Sequence, residues 1–424
     1  MPMKIAIVGS GIAGLACAYR LSVNPEFKVT LIDRGPKLGL AANCVDVTTD
    51  DGNTLTGDIP SRMFNAINWP CLSALYDEAG ILTSVVKPTQ SFSRVTPDGH
   101  SSTFLTLANA MEPSLSTRWL KGSTRLIASE AKRLKNEGEQ DLLAGLVHEE
   151  TLSQYLSRRR YSDQFIKDFL YPTLSSTVCT CSYASLERYP ANVILAALSG
   201  LTGGVPLMRL AHSACDVALR LTAGLSDIRL NCHVDTLDES GNGVTLSFSD
   251  GSREVFDRVV IATQANTALK QIAEVDFEFA GTLRAIDYED VNVVIHRDRS
   301  FMPAKKSDWS TFNMTSSQDG QSAMCTVWMN CFHDDWIATE DIFQTIHPIR
   351  RPIGILTEVR LQRPVVTLAS RAAVAEFASR EQPDTKVLLA GSWAAPGIPL
   401  LESGVQSAWN VCQQIESRLS KRPD

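Results

Sequence analysis

The feature that most constrains this chain is a strand, a glycine-rich turn, a helix and a second strand within its first 33 residues. Residues 4–8, Lys-Ile-Ala-Ile-Val, are apolar and β-branched enough for a strand that is buried on both faces of a parallel sheet. Residues 9–14 read Gly-Ser-Gly-Ile-Ala-Gly, and good helix formers follow as far as Leu21. A second apolar strand, residues 28–32, ends at Asp33. The pattern predicts a β-α-β unit at the start of a parallel sheet.

Each glycine of this turn has a separate physical task. Gly9 permits a tight turn, Gly11 lets the backbone approach a pyrophosphate, and Gly14 lets the helix pack closely on the strand. The free N–H groups and the partial positive charge at the start of the helix suit a phosphate. Asp33 follows at the spacing at which a carboxylate accepts hydrogen bonds from both hydroxyls of a ribose. The unit therefore predicts a site for an adenine dinucleotide, and it does not by itself separate NAD from FAD.

Composition excludes several classes of protein. The chain has 424 residues, of which 44% are hydrophobic, which is enough for two or three domains with buried cores. Its net charge of −7, without a basic block, is opposite in sign to that of most nucleic-acid-binding proteins. No apolar run reaches the roughly 20 residues that cross a bilayer, and the apolar start runs into a glycine turn, unlike a signal peptide. The ten cysteines and seven histidines show no metal-ligand spacing. We expect a soluble cytoplasmic protein with reduced thiols, no metal and no nucleic-acid partner.

The residues after the second strand favour FAD. Residues 33–40, Asp-Arg-Gly-Pro-Lys-Leu-Gly-Leu, resemble the extension of FAD enzymes, in which a basic residue lies four positions after the acid and a glycine pair follows. Leu40 replaces the second glycine of that pair. The resemblance implies cofactor contacts in this part of the chain at Gly9, Gly11, Ile12, Ala13, Gly14, Asp33, Arg34 and Lys37.

The sequence is also similar, in its middle and at its end, to FAD enzymes of the amine-oxidase superfamily, which build one cofactor site from three chain segments. The middle segment predicts an amphipathic helix near residues 208–221, a hairpin around residues 239–243 and a buried strand before Ala262. Near the end, a strand runs into Gly391, and residues 402–408 open the last helix. The start of that helix can stabilise negative charge on a reduced flavin. The resemblance adds cofactor contacts at Val234, Ala262, Gly391, Ser392, Gly404 and Val405.

Short segments in the same order resemble a narrower group of that superfamily, the flavoproteins associated with cyclopropane-fatty-acid synthases. These segments are residues 58–65 (Asp-Ile-Pro-Ser-Arg-Met-Phe-Asn), 169–172 (Phe-Leu-Tyr-Pro, at a helix end), 292–298 and 326–330. The resemblance places Ser61, Arg62 and Met63 along the flavin ring. The chain departs from the group at Pro60 and in a longer loop at residues 397–404, which implies a different substrate.

The resemblance implies an α/β architecture, in which a Rossmann-like FAD-binding domain is interleaved with an α+β substrate domain, as in amine oxidases. The FAD-binding domain is expected to comprise residues 1–85, 201–285 and 385–424. The substrate domain is expected to comprise residues 86–200, largely helical, and 286–384, largely strands.

With FAD bound, the expected reaction is oxidation: a substrate C–H bond held near the flavin N5 loses hydride, and oxygen or another acceptor reoxidises the flavin. Three residues are catalytic candidates: Arg62 as a cation beside the ring or for a carboxylate, His296 as a base, and Leu400 as a pocket residue. A structural histidine is the alternative for His296, which lies in an apolar strand. Leu400 falls where amine oxidases place an aromatic ring, and an aliphatic side chain makes no cation–π contact with an amine. We therefore expect a hydrophobic small-molecule or acyl substrate, and a biosynthetic role.

Other interpretations remain open: a flavin-dependent double-bond isomerase, an amine oxidase, or a flavin-binding protein without catalysis. No cysteine or histidine lies in a recognised attachment motif, so the FAD is expected to be non-covalent. The oligomeric state is open. The following residues either line a substrate pocket or belong to the core: Tyr171, Cys179, Cys181, Trp309, Trp328 and Trp393.

Overall fold

A computed structural model describes residues 1–48, 50, 52, 54–96, 101–109, 112–113, 122–201, 206–272, 280–331, 340–379 and 386–419. The strands in these ranges are β1 Met3–Val8, β2 Phe27–Ile32, β3 Cys44–Thr48, β4 Thr54–Asp58, β5 Thr83–Val86, β6 Gln90–Val95, β7 Ser101–Asn109, β8 Glu112–Pro113, β9 Leu207–Leu210, β10 Asp227–Arg229, β11 Val234–Ser240, β12 Gly243–Phe248, β13 Arg253–Phe256, β14 Arg258–Ile261, β15 Asp287–His296, β16 Phe312–Ser316, β17 Ala323–Trp328, β18 Phe343–Ile346, β19 Ile355–Val365 and β20 Val387–Leu389. The α-helices are α1 Ile12–Ser22, α2 Pro70–Glu78, α3 Gly122–Leu143, α4 Leu152–Arg158, α5 Asp163–Phe165, α6 Tyr171–Thr173, α7 Tyr183–Glu187, α8 Ala191–Leu201, α9 Ala214–Thr222, α10 Ala265–Gln271, α11 Ala280–Arg284, α12 Leu368–Ser379 and α13 Leu401–Leu419.

The first sheet is parallel and has the strand order β10-β2-β1-β14-β20. Its centre is almost wholly apolar, since Ile5, Ile7 and Val260 are completely buried. One face packs on helices α1, α9 and α13, and the other on the antiparallel strands β11 to β13 with helices α10 to α12. Because both faces are covered, the strands are continuously hydrophobic rather than alternating. The predicted β-α-β unit is confirmed as β1, α1 and β2, with β1 and β2 in parallel register. All five strands come from the three segments that we assign to the FAD-binding domain, although the domain boundaries themselves stay a prediction.

The second large sheet has the order β19-β15-β18-β17-β16-β6-β7-β8. Its pairs are antiparallel except for β16 and β6, which run parallel. Strands β6 to β8 lie in the segment expected to be largely helical, so residues 90–95, 101–109 and 112–113 differ from that expectation. Strand β6 finds a partner more than two hundred residues away, at residues 312–316, and β7 and β8 add to it. No local pattern in the sequence shows the long-range pairing.

The side chains of this sheet alternate between two faces, as in any strand. We call inner the face that packs on the helices between α3 and α8, and outer the opposite face. The inner face carries Phe92, Val291, Val293, Ile295, Phe312, Met314, Cys325, Val327 and Ile346. All are in one apolar cluster with Leu170, Tyr171 and Leu174 from the helices and with Cys179, Cys181 and Tyr189 from the connections between them. We call this set, together with the residues that pack against it, the inner cluster.

The helix expected to end at Pro172 continues through it. Residues 163–178 form one helical run in which π-helical turns, Ile166–Leu170 and Leu174–Val178, flank the short helix α6 that contains Pro172. A π-turn changes the hydrogen-bonding step of the backbone, so the run tolerates a residue that has no N–H. The helix end inferred at Pro172 is therefore wrong.

The amphipathic helix expected near residues 208–221 is also shorter than that. Residues 207–210 form β9, which pairs with β5, and Met208 exchanges backbone hydrogen bonds with Phe64 at 2.9 and 2.7 Å. The helix, α9, begins at Ala214, whose N–H donates to both carboxylate oxygens of the buried Asp58. In the described part of the chain, no helix is long and apolar enough to cross a membrane.

Candidate functional site

The predicted cofactor residues meet at one edge of the parallel sheet. Because all five strands run in the same direction, their carboxyl ends lie together. Gly9 follows β1, Asp33 follows β2, Ala262 follows β14, and Gly391 lies two residues after β20. In open α/β sheets this edge is where ligands bind.

The glycine turn is built as its spacing predicts. Gly9 has a φ of +103°, and a Cβ atom on it would lie 2.8 Å from the carbonyl oxygen of Ala262. A Cβ on Gly14 would lie only 1.8 Å from the carbonyl oxygen of Gly9. Both positions therefore require glycine for the backbone to pack. A Cβ on Gly11, in contrast, would meet no protein atom within 4 Å, so Gly11 borders open space at the start of α1.

The start of α1 is free to receive an anion. Gly11 is its N-cap and makes no side-chain capping bond, and the first turn, which contains Ile12 and Ala13, carries no acidic residue. The unpaired N–H groups and the positive end of the helix dipole therefore face the open space beside Gly11. This arrangement fits the pyrophosphate of a dinucleotide.

Asp33 lies at the tip of β2, as predicted, and is already hydrogen-bonded within the turn. Its Oδ2 accepts from the backbone N–H of Ser10 at 2.8 Å and from the Ser10 hydroxyl, and its Oδ1 accepts from Gly35 N–H at 2.8 Å. A carboxylate has about four acceptor positions, so one remains for a ribose hydroxyl. Arg34 and Lys37 are exposed in the loop that follows.

Val234 lies beside this end of the site. The chain that leads into β11 runs against the end of β2, where Cys232 N–H donates to the Asp33 carbonyl at 2.9 Å. Val234 is buried, and its carbonyl accepts from the side chain of Gln271 at 3.2 Å. The position suits the adenosine half of a dinucleotide, on the Asp33 side of the turn.

The starts of α1 and α13 are in contact. A Cβ on Gly404 would lie 2.6 Å from Ile12 Cγ2 and 3.8 Å from Ala13 N, so the two first turns pack directly. Val405 is completely buried beside them. The Ser407 hydroxyl accepts from Gly391 N–H at 2.9 Å, which joins α13 to the end of β20 and the turn that contains Ser392. Two helix N-termini from opposite ends of the chain therefore face the same region.

The segment that contains Ser61, Arg62 and Met63 is held by a residue that the sequence does not single out. Gln344 is completely buried on the inner face; its Oε1 accepts from Ser61 N–H at 2.9 Å, and its Nε2 donates to the Asp58 carbonyl at 3.1 Å. Met63 and Leu400 both pack against the inner cluster. Gln344 lies 283 positions from Ser61, so only the tertiary structure shows the contact.

His296 does not belong to this region. On β15 it alternates with Val293 and Ile295, so its side chain is on the outer face, where it is completely buried. Its Nδ1 accepts from Asp298 N–H at 3.1 Å, and its Nε2 is bonded to the Thr345 hydroxyl at 2.7 Å. Burial lowers the pKa of His296 to about 4. We propose that His296 is a structural histidine rather than a base, because both nitrogens are engaged away from the inner cluster.

The remaining aromatic and thiol candidates divide between the two faces. Trp309 and Trp328 stack edge to face with ring centroids 5.2 Å apart, and Trp309 packs on Phe343, so they share the outer face with His296. Tyr171, Cys179 and Cys181 are buried members of the inner cluster. Trp393 is buried at the start of the C-terminal loop, and its Nε1 donates to the Thr263 carbonyl at 3.1 Å.

A second unpredicted contact links α13 to α2. The carboxylate of Glu402 accepts from the backbone N–H groups of Cys71 and Leu72 at 3.1 and 2.8 Å. Trp69, the N-cap of α2, provides no capping side chain of its own. Glu402 therefore caps a helix far away in the sequence and fixes the first turn of α13.

Comparison with protein families gives a decisive match. Residues 12–355 match the model of the flavin containing amine oxidoreductases. The chain belongs to this family. It is therefore an FAD-dependent oxidoreductase, with the amine-oxidase type of fold.

Solved structures show the same fold at low sequence identity. A protein assigned as a protoporphyrinogen oxidase from Exiguobacterium sp. 255-15 is 17% identical, with a TM-score of 0.70 over 99% of both chains. Putrescine oxidase bound to putrescine is 13% identical, with a TM-score of 0.67 over 99% of this chain and 100% of the other. Cyclohexylamine oxidase from Brevibacterium oxydans IH-35A is 14% identical, with a TM-score of 0.66 and the same coverage. No curated protein matches the sequence.

The residues at the sheet edge fit FAD. The open backbone at Gly11, the uncapped start of α1 and the carboxylate of Asp33 together suit a pyrophosphate next to an adenosine. The start of α13 lies alongside, where it can favour negative charge on a flavin. Bound there, FAD supplies a two-electron acceptor, and the protein supplies position and electrostatics.

Proposed function

We propose that this enzyme removes hydride from a C–H bond of a hydrophobic small-molecule or acyl substrate. The observation that carries the proposal is the apolar surrounding of Met63 and Leu400, the two residues that we expect nearest to the flavin ring and the substrate. Both pack against the inner cluster, and Ile398 of the same loop belongs to it. Such a surface gains free energy by burying apolar substrate, at about 25 cal/mol per Å².

An apolar cavity of about 150 Å³ beside the C-terminal loop supports the same substrate class. It lies between the end of β19, helix α12 and the loop from Trp393 to Pro399. Its walls include Ile286, Val365, Val374, Ala378, Trp393 and Pro399. Because this loop follows Gly391 and Ser392 directly, the cavity offers room for an apolar group next to the expected flavin position.

In this proposal the chain's own residues act by position rather than by acid–base chemistry. Gln344 holds Ser61, and with it Arg62 and Met63, against the inner face. The apolar side chains of Met63 and Leu400 exclude water from the reacting C–H bond. Arg62 supplies positive charge near the ring.

Reduction of the bound cofactor in the absence of oxygen tests the proposal. Purified enzyme is mixed with a panel of hydrophobic acids, alcohols and acyl esters, and in parallel with amines. We expect loss of flavin absorbance with one or more of the hydrophobic compounds and none with amines. A transient loss of absorbance that recovers without oxygen, with a product of unchanged oxidation state, indicates instead double-bond isomerisation, because the reduced flavin returns the hydride. A flavin that only dithionite reduces indicates a protein without catalysis.

Amine oxidation is the second candidate, because two of the structural neighbours are named as putrescine oxidase and cyclohexylamine oxidase. The aliphatic Leu400 argues against a charged amine, because it makes no cation–π contact. We propose that oxygen is the electron acceptor. Peroxide release from putrescine or cyclohexylamine by the purified enzyme would overturn the hydrophobic-substrate proposal.

Kinship and location are proposals as well. The segments around residues 58–65 and 326–330 favour the flavoproteins associated with cyclopropane-fatty-acid synthases, and a methyltransferase gene beside this one would support a lipid substrate.

We propose a cytoplasmic location and non-covalent FAD. All ten cysteines are free, although Cys412 lies next to Cys17 and its Sγ is 3.9 Å from the Cys17 carbonyl. Neighbouring free thiols are typical of a reducing compartment. Release of FAD by acid precipitation tests non-covalent binding.

A further inference from the structure

Arg363 is a cation in an apolar position. On β19, Val359, Leu361 and Val365 belong to the inner cluster. Because side chains in a strand alternate with a period of two, Arg363 lies on the same face. Its partner in the antiparallel register is Glu289 on β15. Arg363 therefore projects from the sheet towards the inner cluster, within electrostatic range of Tyr189, Cys179, Cys181 and Arg62.

This guanidinium forms no ion pair with the described residues. In the described part of the chain, Arg363 makes no hydrogen bond and no ion pair, and its Nε is buried without a partner. Glu289, opposite Arg363, accepts from Ser182 N–H through its Oε1 at 2.9 Å. Its Oε2 is buried without a hydrogen-bond partner, and it forms no ion pair with Arg363. Burial lowers the pKa of Arg363; nearby Tyr189, Cys179 and Cys181 oppose this, and Arg62 lowers the pKa by the smallest amount.

Several shielded charges among the described residues are paired. The buried Asp168 accepts from Arg94, the buried Asp141 accepts from Arg159, and Arg229 contacts both Asp227 and Glu254. A charge in a shielded position destabilises the folded state unless an opposite charge or hydrogen bonds compensate it. Proteins that retain such a charge therefore generally pair it with a counter-ion. Arg363 makes no such pair with the described residues, and a bound anion would supply one.

We propose that Arg363 binds a carboxylate of the substrate, so that the substrate class is an amphipathic acid with an apolar body and one anionic end. This inference rests on the proposed hydrophobic substrate and makes it more specific. The planar guanidinium matches a carboxylate with two parallel hydrogen bonds. One carboxylate neutralises one unpaired cation, while the apolar body lies against the inner cluster. A protonated amine is repelled by the same cation.

Binding to the FAD-loaded enzyme, measured by isothermal titration calorimetry, tests this assignment. The probes share one chain length and differ in the head group: decanoate, decanol and decylamine. The variants are Arg363→Met, which removes the charge at similar length, and Arg363→Lys, which keeps the charge but loses the planar fork. Arg360→Met is the matched control, because Arg360 lies on the same strand with an exposed side chain.

We expect the wild-type protein to prefer decanoate over decanol and decylamine. Arg363→Met should weaken decanoate binding by about ten- to a hundredfold and leave decanol binding unchanged. Arg363→Lys should lie between the two, and Arg360→Met should bind as the wild-type protein does. Equal decanoate affinity in Arg363→Met and the wild-type protein, or a wild-type protein without preference for decanoate, would overturn the assignment.

Stability separates this role from a structural one. If Arg363 serves to bind an external anion, Arg363→Met should keep or raise the melting temperature of the ligand-free protein, because the substitution removes an unpaired charge. A lower melting temperature with unchanged decanoate binding would instead assign Arg363 to the fold, through Glu289. Calorimetry measures binding without turnover. If no probe reduces the flavin, the proposed reaction is contradicted, but the binding data still show whether Arg363 binds a carboxylate.

Discussion

Gly11 and Gly14 are three positions apart in one turn, yet the structure makes opposite demands on them. Gly14 is required by the protein itself, since a Cβ there would overlap the Gly9 carbonyl at 1.8 Å. Gly11 faces open space, so only a ligand requires its missing side chain. The spacing of the glycines is local, and for that reason the sequence predicted this turn.

The substitutions Gly14→Ala and Gly11→Ala should therefore fail in different ways. Gly14→Ala should lower the melting temperature of the protein without FAD, because backbone must move to admit the methyl group. Gly11→Ala should fold with an unchanged melting temperature and bind FAD at least tenfold more weakly, by about 1.4 kcal/mol or more. Thermal unfolding and fluorescence titration with FAD measure the two effects. Equal losses of stability in both variants would contradict the open space at Gly11.

His296 leads to a prediction on pH. Its pKa of about 4 in the folded protein lies below the value of about 6.5 expected for an unfolded chain, so folding favours the neutral ring. The resulting stability is complete above pH 6.5 and is lost as the pH falls through 4, with a limit of about 3 kcal/mol. His296→Gln should flatten this dependence in urea unfolding at pH 4.5 and 7.

The control for this experiment is the wild-type protein, unfolded in urea at the same two pH values. A His296→Gln variant that still loses as much stability between pH 7 and 4.5 as the wild-type protein would show that His296 titrates normally in the folded state. The burial that assigns it a structural role would then be contradicted.

At the scale of elements, the sequence predicted those whose pattern is local and missed those decided by distant partners. Strands β1 and β2 and helix α1 follow from apolar runs and glycine spacing. The residues of β9 have an amphipathic pattern but form a strand because Phe64 and β5 offer backbone partners. Strand β6 likewise depends on β16, and the run through Pro172 depends on π-turns that no sequence pattern marks. Gln344 and Glu402 were missed for the same reason.

Glu402 gives the prediction at this scale. Glu402→Gln removes the charge and one of two acceptors from the start of α2, so it should destabilise the protein by about 1 kcal/mol and speed hydrogen exchange of the Leu72 amide. Glu416→Gln, later on the same helix, removes a more exposed ion pair with Arg20 and should cost less. If Glu402→Gln and Glu416→Gln changed the free energy of unfolding and the exchange of the Leu72 amide equally, the Glu402 cap would contribute no more than a surface ion pair.

At the scale of the whole molecule, three distant chain segments build one sheet edge. Strands from residues 3–8, 258–261 and 387–389 lie side by side, and helix α13 from the end of the chain packs its first turn on that of α1. The family resemblance anticipated this convergence. Only the strand registers show on which face of the second sheet each side chain lies. That placement puts His296 on the outer face and Arg363 on the inner face.

The same convergence makes FAD binding a stabiliser of the entire fold. A ligand that binds only the folded state at a hundred times its Kd adds about 2.7 kcal/mol to the free energy of unfolding. Since the site uses strands from both ends of the chain, we expect FAD to raise the temperature of a single unfolding transition. Differential scanning calorimetry with and without FAD measures this, and two transitions, of which only one shifts, would show that the segments do not unfold together.

The central claim is that the first turns of α1 and α13 serve the same flavin nucleotide, and a crystal structure of the FAD-loaded protein tests it most directly. The account predicts the pyrophosphate against Gly11 and the first N–H groups of α1, the ribose at Asp33, and the flavin ring between the start of α13 and residues 61–63. Density for FAD that leaves Gly11 without a contact, or that places the ring away from Gly404, would contradict it.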